Sequence, residues 1–272
     1  MPTTEPTRFV KVVLVTGGSS GIGESICKRL AAQGHTVYGT TRKAGEEPTG
    51  YRMVQMDITD ESSVRDGVAM VLREAGRIDV VVNNAGLGIQ GPAEDIAPEL
   101  ALQLLDTNVL GAHRVCRAVL PAMRERKAGL IINITSLAAN YGLLFRGFYS
   151  ASKAALERYT EALHMEVSTF GIHAVTLQPG EYKTRIATGR LRPATISDPY
   201  RKAYDRVMEV LGGSLHYSRD PDEVAVLVGK IMAKAKPRSV YYAAHGLQRL
   251  SVELKKLLSG RRFQRMMMRY YR

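Results

Sequence analysis

Two hydrophobic periods alternate along this chain. Short β-branched runs are separated by longer stretches in which apolar residues return every third or fourth position. That alternation is the pattern of βαβ units and a parallel sheet. Val10–Thr16 (VKVVLVT) predicts a first strand apolar enough to be buried on both faces. Ile22–Gln33 predicts a helix with Ile22, Ile26, Leu30 and Ala31 on one face and Gly34 as its stop. Further strands are predicted over Thr36–Thr41, Tyr51–Met56, Val80–Asn83, Leu130–Ile134, His173–Leu177 and Ser239–Tyr242. Between them, helices are predicted from the Asp60 cap to Ala75, from Pro98 to Lys127, and from Ser150 to Phe170. Weaker helical patterns cover Tyr182–Leu211 and Pro221–Lys234. With no repeat, low-complexity run or linker, residues 1–272 read as one α/β domain. Its expected form is a doubly wound Rossmann fold, a seven-stranded parallel sheet flanked by helices with a C-terminal helical extension.

Composition narrows the class. Hydrophobic residues make up 45% and charged residues 24%, an ordinary globular balance. No run approaches the roughly 20 apolar residues of a bilayer span, and Met1–Thr7 holds no apolar core of a signal peptide, so a cytoplasmic protein is expected. Cys27 and Cys116 fall in predicted helices without CxxC spacing and read as buried free thiols of a reducing compartment. The six histidines form no HExxH-type cluster, so no metal is expected. The net charge of +12 invites a nucleic-acid reading, but residues 245–272 carry eight Lys/Arg against one acid. The excess sits in a tail rather than a groove, and nucleic acid is not an expected partner.

Chemistry enters where the first strand ends. It runs directly into TGGSSGIG, Thr16–Gly23, and then into a helix. Gly17 permits the tight turn, Gly21 lets backbone approach a pyrophosphate, and Gly23 lets helix and strand pack closely. The helix N-terminus offers free N–H groups and a positive dipole end. Strand before and helix after make this a dinucleotide loop rather than an incidental glycine turn. The cofactor-selecting position should lie about 20 residues on, at the end of strand two. An NAD enzyme places a carboxylate there; this chain reads Gly39-Thr40-Thr41-Arg42-Lys43. Arg42 suits a 2′-phosphate, with Ser20 as an added hydroxyl donor, so NADP(H) is the expected cofactor.

A second group of residues follows. Asn83-Asn84-Ala85-Gly86 closes strand four, and Ser136 comes just after strand five. Of thirteen tyrosines only Tyr149 has a lysine four residues later, Lys153, which puts both side chains on one helix face. The spacing gains its meaning from its company, a nucleotide loop and a strand-end NNAG. Carbonyl reduction needs a proton delivered to oxygen as hydride reaches carbon. A free phenol, with a pKa near about 10, exchanges protons poorly at neutral pH. A neighbouring ammonium favours phenolate, so Lys153 is expected to lower Tyr149 into use as a general acid or base. Ser136 is placed to bond the substrate oxygen and support its developing charge.

Taken together, TGGSSGIG, NNAG, Ser136, Tyr149-Ser-Ala-Ser-Lys153 and Pro179-Gly180 resemble the short-chain dehydrogenase/reductase family in its compact single-domain form, over about residues 9–184. The resemblance implies a Ser-Tyr-Lys site with a helical Asn as fourth member, which maps to Asn108, and a lysine that also holds the nicotinamide ribose. It implies cofactor contacts at Gly17, Ser19, Ser20, Gly21, Ile22 and Gly23 in the loop, and at Arg42, Asp57 and Ile58 on the adenosine side. It also implies contacts at Asn84, Ala85 and Gly86, and at Pro179, Gly180 and Thr184 around the nicotinamide. Asn108 is expected to hold a water that relays protons to Lys153. One slot departs from the family pattern: Tyr182 stands where Val or Ile is usual.

On the substrate side, Tyr182–Leu215 and the loop Leu137–Phe148 are expected to cover a small carbonyl or alcohol, with Tyr141, Leu143, Leu144 and Phe148 as candidate lining. The chain is similar to the hydroxysteroid and retinol dehydrogenase branches, which points to a lipophilic substrate such as a steroid, retinoid or other apolar ketone or aldehyde. In the tail, Leu247, Leu250, Leu254, Leu257 and Leu258 recur at helical spacing ahead of RRFQRMMMRYYR. Such a basic amphipathic segment fits packing over the cleft, packing on a second subunit, or peripheral contact with an anionic membrane. A homo-oligomer, dimer or tetramer, is expected. The competing reading is a noncatalytic NADP(H)-binding regulator on the same fold, disfavoured because every acid/base residue is present.

Overall fold

The computed structural model describes residues 10–43, 48, 50–182, 189–215 and 219–271. Seven parallel strands form one sheet in the order β3-β2-β1-β4-β5-β6-β7. They are β1 (Val12–Val15), β2 (Thr36–Thr41), β3 (Arg52–Gln55), β4 (Val80–Asn83), β5 (Gly129–Ile134), β6 (Ile172–Pro179) and β7 (Val240–Ala243). β1 is buried throughout because both faces of the sheet are covered, as its unbroken apolar run requires. Val13 and Val15 point into one layer with Ile26, Cys27 and Leu30 of α1 (Gly21–Ala32) and Val224 and Val228 of α7 (Asp222–Met232). Val12 and Leu14 point into the other, with Val64 and Val68 of α2 (Glu61–Ala75), Val115 and Val119 of α4 (Gly111–Glu125) and Leu163 of α5 (Gly147–Val167). Cys27 and Cys116 are free and buried, one in each layer. Asp60 caps α2 by accepting from the Ser62 and Ser63 amides, and Gly76 ends it in the left-handed region at φ 72°.

The chain winds outward in both directions from β1, which pairs with β2 on one side and β4 on the other. The C-terminal ends of β1 and β4 therefore frame the crevice in which such sheets bind ligands.

Four elements depart from the sequence expectation. The long helix over Pro98–Lys127 is two helices, α3 (Pro98–Leu105) and α4, joined by a π-helical turn over Asp106–Leu110. Helix α5 begins at Gly147, ahead of Ser150, so Tyr149 lies in its first turn. The segment Tyr182–Leu211 is not one helix: Tyr182 forms a β-bridge with Arg219, and α6 begins only at Asp198 and runs to Leu215. The tail is a pair, α8 (Gly246–Leu257) and α9 (Gly260–Tyr270), broken where Leu258 turns extended. Among the described residues, no helix is long and apolar enough to cross a membrane.

Candidate active site

The loop after β1 is shaped by backbone requirements that only glycine meets. Gly17 and Gly21 sit at φ 67° and 57°. A Cβ on Gly23 would lie 2.2 Å from the Gly17 carbonyl oxygen, so α1 packs onto its own entry loop. Gly18, which the sequence reading did not single out, touches β2: its Cβ would fall 2.6 Å from Gly39 Cα. Asn84 braces the loop from the neighbouring strand, with Nδ2 donating to the Thr16 and Gly17 carbonyls at 3.0 and 3.3 Å. Thr16 answers by accepting the Asn84 and Ala85 amides on its hydroxyl, both at 3.0 Å. At the helix start the Ser20 side chain makes no capping hydrogen bond. The first-turn amides of α1 are left for an anion, and the cradle fits a pyrophosphate.

A single cavity of about 1200 Å³ runs over this loop and across the sheet edge. The sequence-predicted residues Gly17, Ser19, Ser20, Gly21 and Ile22 border it, as do Arg42, Asp57 and Ile58 at one end. Asn84, Ala85 and Gly86 line its middle, and Ser136, Tyr149, Lys153, Pro179 and Gly180 its far side. Gly23 and Asn108 stand behind the wall, and Thr184 lies outside the described residues.

Asn108 explains the π turn. Its Oδ1 accepts the Leu87 amide at 2.7 Å, and its Nδ2 donates to the Leu87 carbonyl and the Ser152 hydroxyl, both at 3.0 Å. The side chain is 2% exposed. A widened turn aims the amide across to α5 and the loop after β4, as π turns at functional sites do. Because those bonds run to Leu87 and Ser152, the side chain acts here as a positioning group.

Lys153 is 5% exposed and donates to the Ile134 carbonyl at 3.0 Å. Burial pushes its ammonium down to about 8. Tyr149 lies beside it, its ring centroid 6.0 Å from Nζ. Burial dominates and raises Tyr149 above its ordinary value; what opposes it is the facing Ser136 hydroxyl, then the charges of Arg146 and Arg190. Ser136 Oγ also accepts the Ala138 amide at 3.2 Å, which fixes its direction.

A buried polar network holds α5 against the sheet. Glu157, one turn beyond Lys153, accepts from the Thr135 and Thr176 hydroxyls at 3.0 and 2.8 Å. Asn133 accepts from Asn83 at 2.8 Å and donates to Thr160 at 2.7 Å. These residues were not singled out in the sequence; the available signal was a glutamate four residues after Lys153 on the same helix face.

The substrate end is built by the tail. Phe263 of α9 is buried against Tyr141, with ring centroids 5.0 Å apart, and Tyr141 shares a 2.6 Å hydrogen bond with Ser251 of α8. The tail thus packs over the cleft, with part of its leucine stripe along the cavity. The residue α8 buries is Val252, while Leu247 and Leu257 are 84% and 81% exposed. Leu247, Leu250 and Leu254 instead border the mouth of the cavity. Tyr141 and Leu143 line it as expected. Leu144 packs with the Val207, Leu211 and Tyr271 cluster, and Phe148 with the Ile89 and Leu104 cluster. Tyr182, the departure from family pattern, fills core space and donates to the Ala243 carbonyl at 3.1 Å, bracing the end of β7.

A glycine loop at the β1/β4 switch point, opening into a cleft with adjoining Ser, Tyr and Lys, defines a dinucleotide-dependent oxidoreductase of the doubly wound class. Within that class the family is specific: the short chain dehydrogenase model matches residues 11–193, and the chain belongs to that family. Among curated relatives, a 3-ketodihydrosphingosine reductase of Bacteroides thetaiotaomicron is 38% identical over 229 residues, spanning 84% of this chain and 85% of the relative. Human 17-beta-hydroxysteroid dehydrogenase type 1 is 32% identical over 253 residues, spanning 85% of this chain and 76% of the relative. A solved short-chain dehydrogenase from Streptomyces avermitilis superposes with a TM-score of 0.78 at 29% identity, covering 92% of this chain and 97% of that one.

Proposed function

We propose that this oxidoreductase is NADP(H)-dependent and interconverts a lipophilic ketone or aldehyde with its alcohol. The observation that carries the reading is the placement of Ser136, Tyr149 and Lys153 on one wall of a cavity that reaches from the glycine loop to an apolar mouth. A bound nicotinamide supplies the hydride. Tyr149 donates the proton to the carbonyl oxygen, and Ser136 bonds that oxygen as charge develops on it. Lys153, held by the Ile134 carbonyl, positions the ribose edge of the cofactor pocket beside Tyr149. Asn108 keeps Leu87 and Ser152 in register behind them. Support for NADP over NAD comes from the end of β2, where Arg42 borders the cavity and no acid takes its place. Support for a lipophilic substrate comes from Leu143, Leu247, Leu254 and Met267 along the cleft, and from relatives named for a ketosphingoid base and a steroid.

The test is NADPH oxidation by the full chain across steroid, retinoid, acyl and quinone carbonyls, with NADH in parallel. Turnover with a long-chain or polycyclic ketone, lost in Tyr149→Phe, supports the reading. NADPH binding without turnover of any of them would favour the noncatalytic regulator instead.

A further inference from the structure

Two arginines in the substrate end of the cavity do no more in the chemistry above than bear on the Tyr149 phenol through their charge. Arg146 is 8% exposed, its Nε has no hydrogen-bond partner, and its guanidinium makes no ion pair among the described residues. A buried cation left in that state is costly unless an anion completes it. Arg190, half-buried, borders the same cavity and donates from Nη1 to Gln90 Oε1 at 3.1 Å.

The fold brings the two together deliberately. The strand-like segment after β4 lies between the stretches that carry them. The Gln90 amide donates to the Leu191 carbonyl at 3.0 Å, and the Gly91 amide to the Phe145 carbonyl at 2.8 Å. Each arginine is the immediate neighbour of one of those anchored residues. Gln90, 2% exposed, is itself held by donating to the Tyr204 hydroxyl at 3.2 Å. Phe145 is fixed at φ 56°, a conformation disfavoured for a bulky residue, and packs against Tyr204 with ring centroids 5.4 Å apart. Strain of this kind persists where surrounding structure over-determines it, and the residue held in it directly precedes Arg146.

Resting on the reductase reading, we propose that Arg146 and Arg190 form an oxyanion subsite that receives the carboxylate of a keto-acid substrate a few bonds from the carbonyl that Tyr149 serves. Like charges facing each other in a poorly solvated cleft call for an anion between them. Consistent with that facing, Arg190 is depressed first by burial and then by the Arg146 charge. The position near the reacting carbon follows from the chain itself, since Arg146 caps the helix whose first turn holds Tyr149. Glu181 borders the same cavity. It leaves the pair in excess over it and disfavours anions that stray from the arginines. Guanidinium pairs bind carboxylate through parallel charge-assisted bonds that a neutral ester cannot reproduce.

The test uses the NADPH-loaded full chain with three substrates of equal chain length: 4-oxododecanoate, its methyl ester, and a dodecyl amino ketone. NADPH oxidation gives kcat/KM, and NADPH fluorescence gives binding without turnover. The acid should exceed the ester by about tenfold or more, and the amino ketone should be poorest. Arg146→Gln and Arg190→Gln should each bring the acid-to-ester ratio toward one, while Arg146→Lys keeps part of the preference. Because the ratio is read, any common loss through Tyr149 cancels. An ester equal to the acid, a preferred amino ketone, or a ratio unmoved by both Gln variants overturns the subsite. If neither acid nor ester is reduced but acid binding still depends on Arg146, the subsite stands and the reductase reading falls. If both are reduced without preference, the reductase stands and the subsite falls.

Discussion

Replacing Lys153 by methionine removes a buried ammonium while keeping an unbranched side chain of similar length, so packing changes little. Burial takes this group from the ordinary 10.5 down to about 8. At roughly 1.4 kcal/mol for each factor of ten in acidity, that is a folding penalty of about 3 kcal/mol at neutral pH. The variant escapes it but leaves the Ile134 carbonyl without its 3.0 Å donor, a loss of about 1 kcal/mol. The net expectation is a cofactor-free protein about 2 kcal/mol more stable than the parent at pH 7, and on the order of 5 °C higher in Tm. The pH dependence carries the sign. Above 10.5 the lysine is neutral folded or unfolded and the penalty vanishes; it grows as pH falls toward about 8 and is complete below that. The advantage of Lys153→Met should therefore be full at pH 7 and shrink as pH rises between those values. Urea unfolding of both proteins without cofactor, at pH 7, 8.5 and 9.5, measures it. A variant less stable than the parent at pH 7, or a gain that does not change with pH, would refute the burial argument. The same variant should lose turnover, so the site would be retaining a destabilising charge for its chemistry.

Three further outcomes are expected. Tyr149→Phe should lower turnover by about a hundredfold or more with NADPH affinity nearly unchanged, because only the proton donor is removed; full activity on a verified substrate would sink the mechanism. Arg42→Asp should move the ratio of NADPH to NADH dissociation constants toward NADH by at least about tenfold, read by fluorescence titration; a parent that binds both equally would remove its basis. Phe263→Ala should cost about 3 kcal/mol in urea unfolding and raise KM for the carbonyl, given a side chain only 2% exposed and packed at a tilt against Tyr141. A loss below about 1 kcal/mol would mean that α9 is not docked on the cleft.

Much of the scaffold was legible because it rests on local periodicity. β1 and β4 announce themselves as short aliphatic runs, Val12–Val15 and Val80–Val82, and β5 through Leu130, Ile131, Ile132 and Ile134; their neighbours in the sheet follow from alternation with helices. The glycine loop and the Tyr149/Lys153 pair were legible for a similar reason, since their meaning lies in spacing along a few residues. What escaped depends on partners distant in sequence. Asn108 bends its helix into a π turn to reach Leu87 and Ser152, 21 and 44 residues away. No hydrophobic period registers the extra residue of such a turn. The leucine stripe of α8 pointed to the cleft but not to the buried residue: Leu247, Leu250 and Leu254 border the cavity, while the side chain that is buried is Val252. Arg146 and Arg190 are ordinary surface letters in the sequence; only the pairing of Gln90 and Gly91 with Leu191 and Phe145 reveals them as inward-facing.

The cavity draws its two ends from stretches of chain that do not overlap. The glycine loop and its bracing strand are complete by Gly86, whereas the outer wall against Tyr141 is supplied by residues beyond Gly246. During synthesis the phosphate cradle is therefore translated long before the wall that closes the substrate end. A nascent chain that has reached Leu143 holds Tyr141 but not yet Phe263, the ring that packs against it.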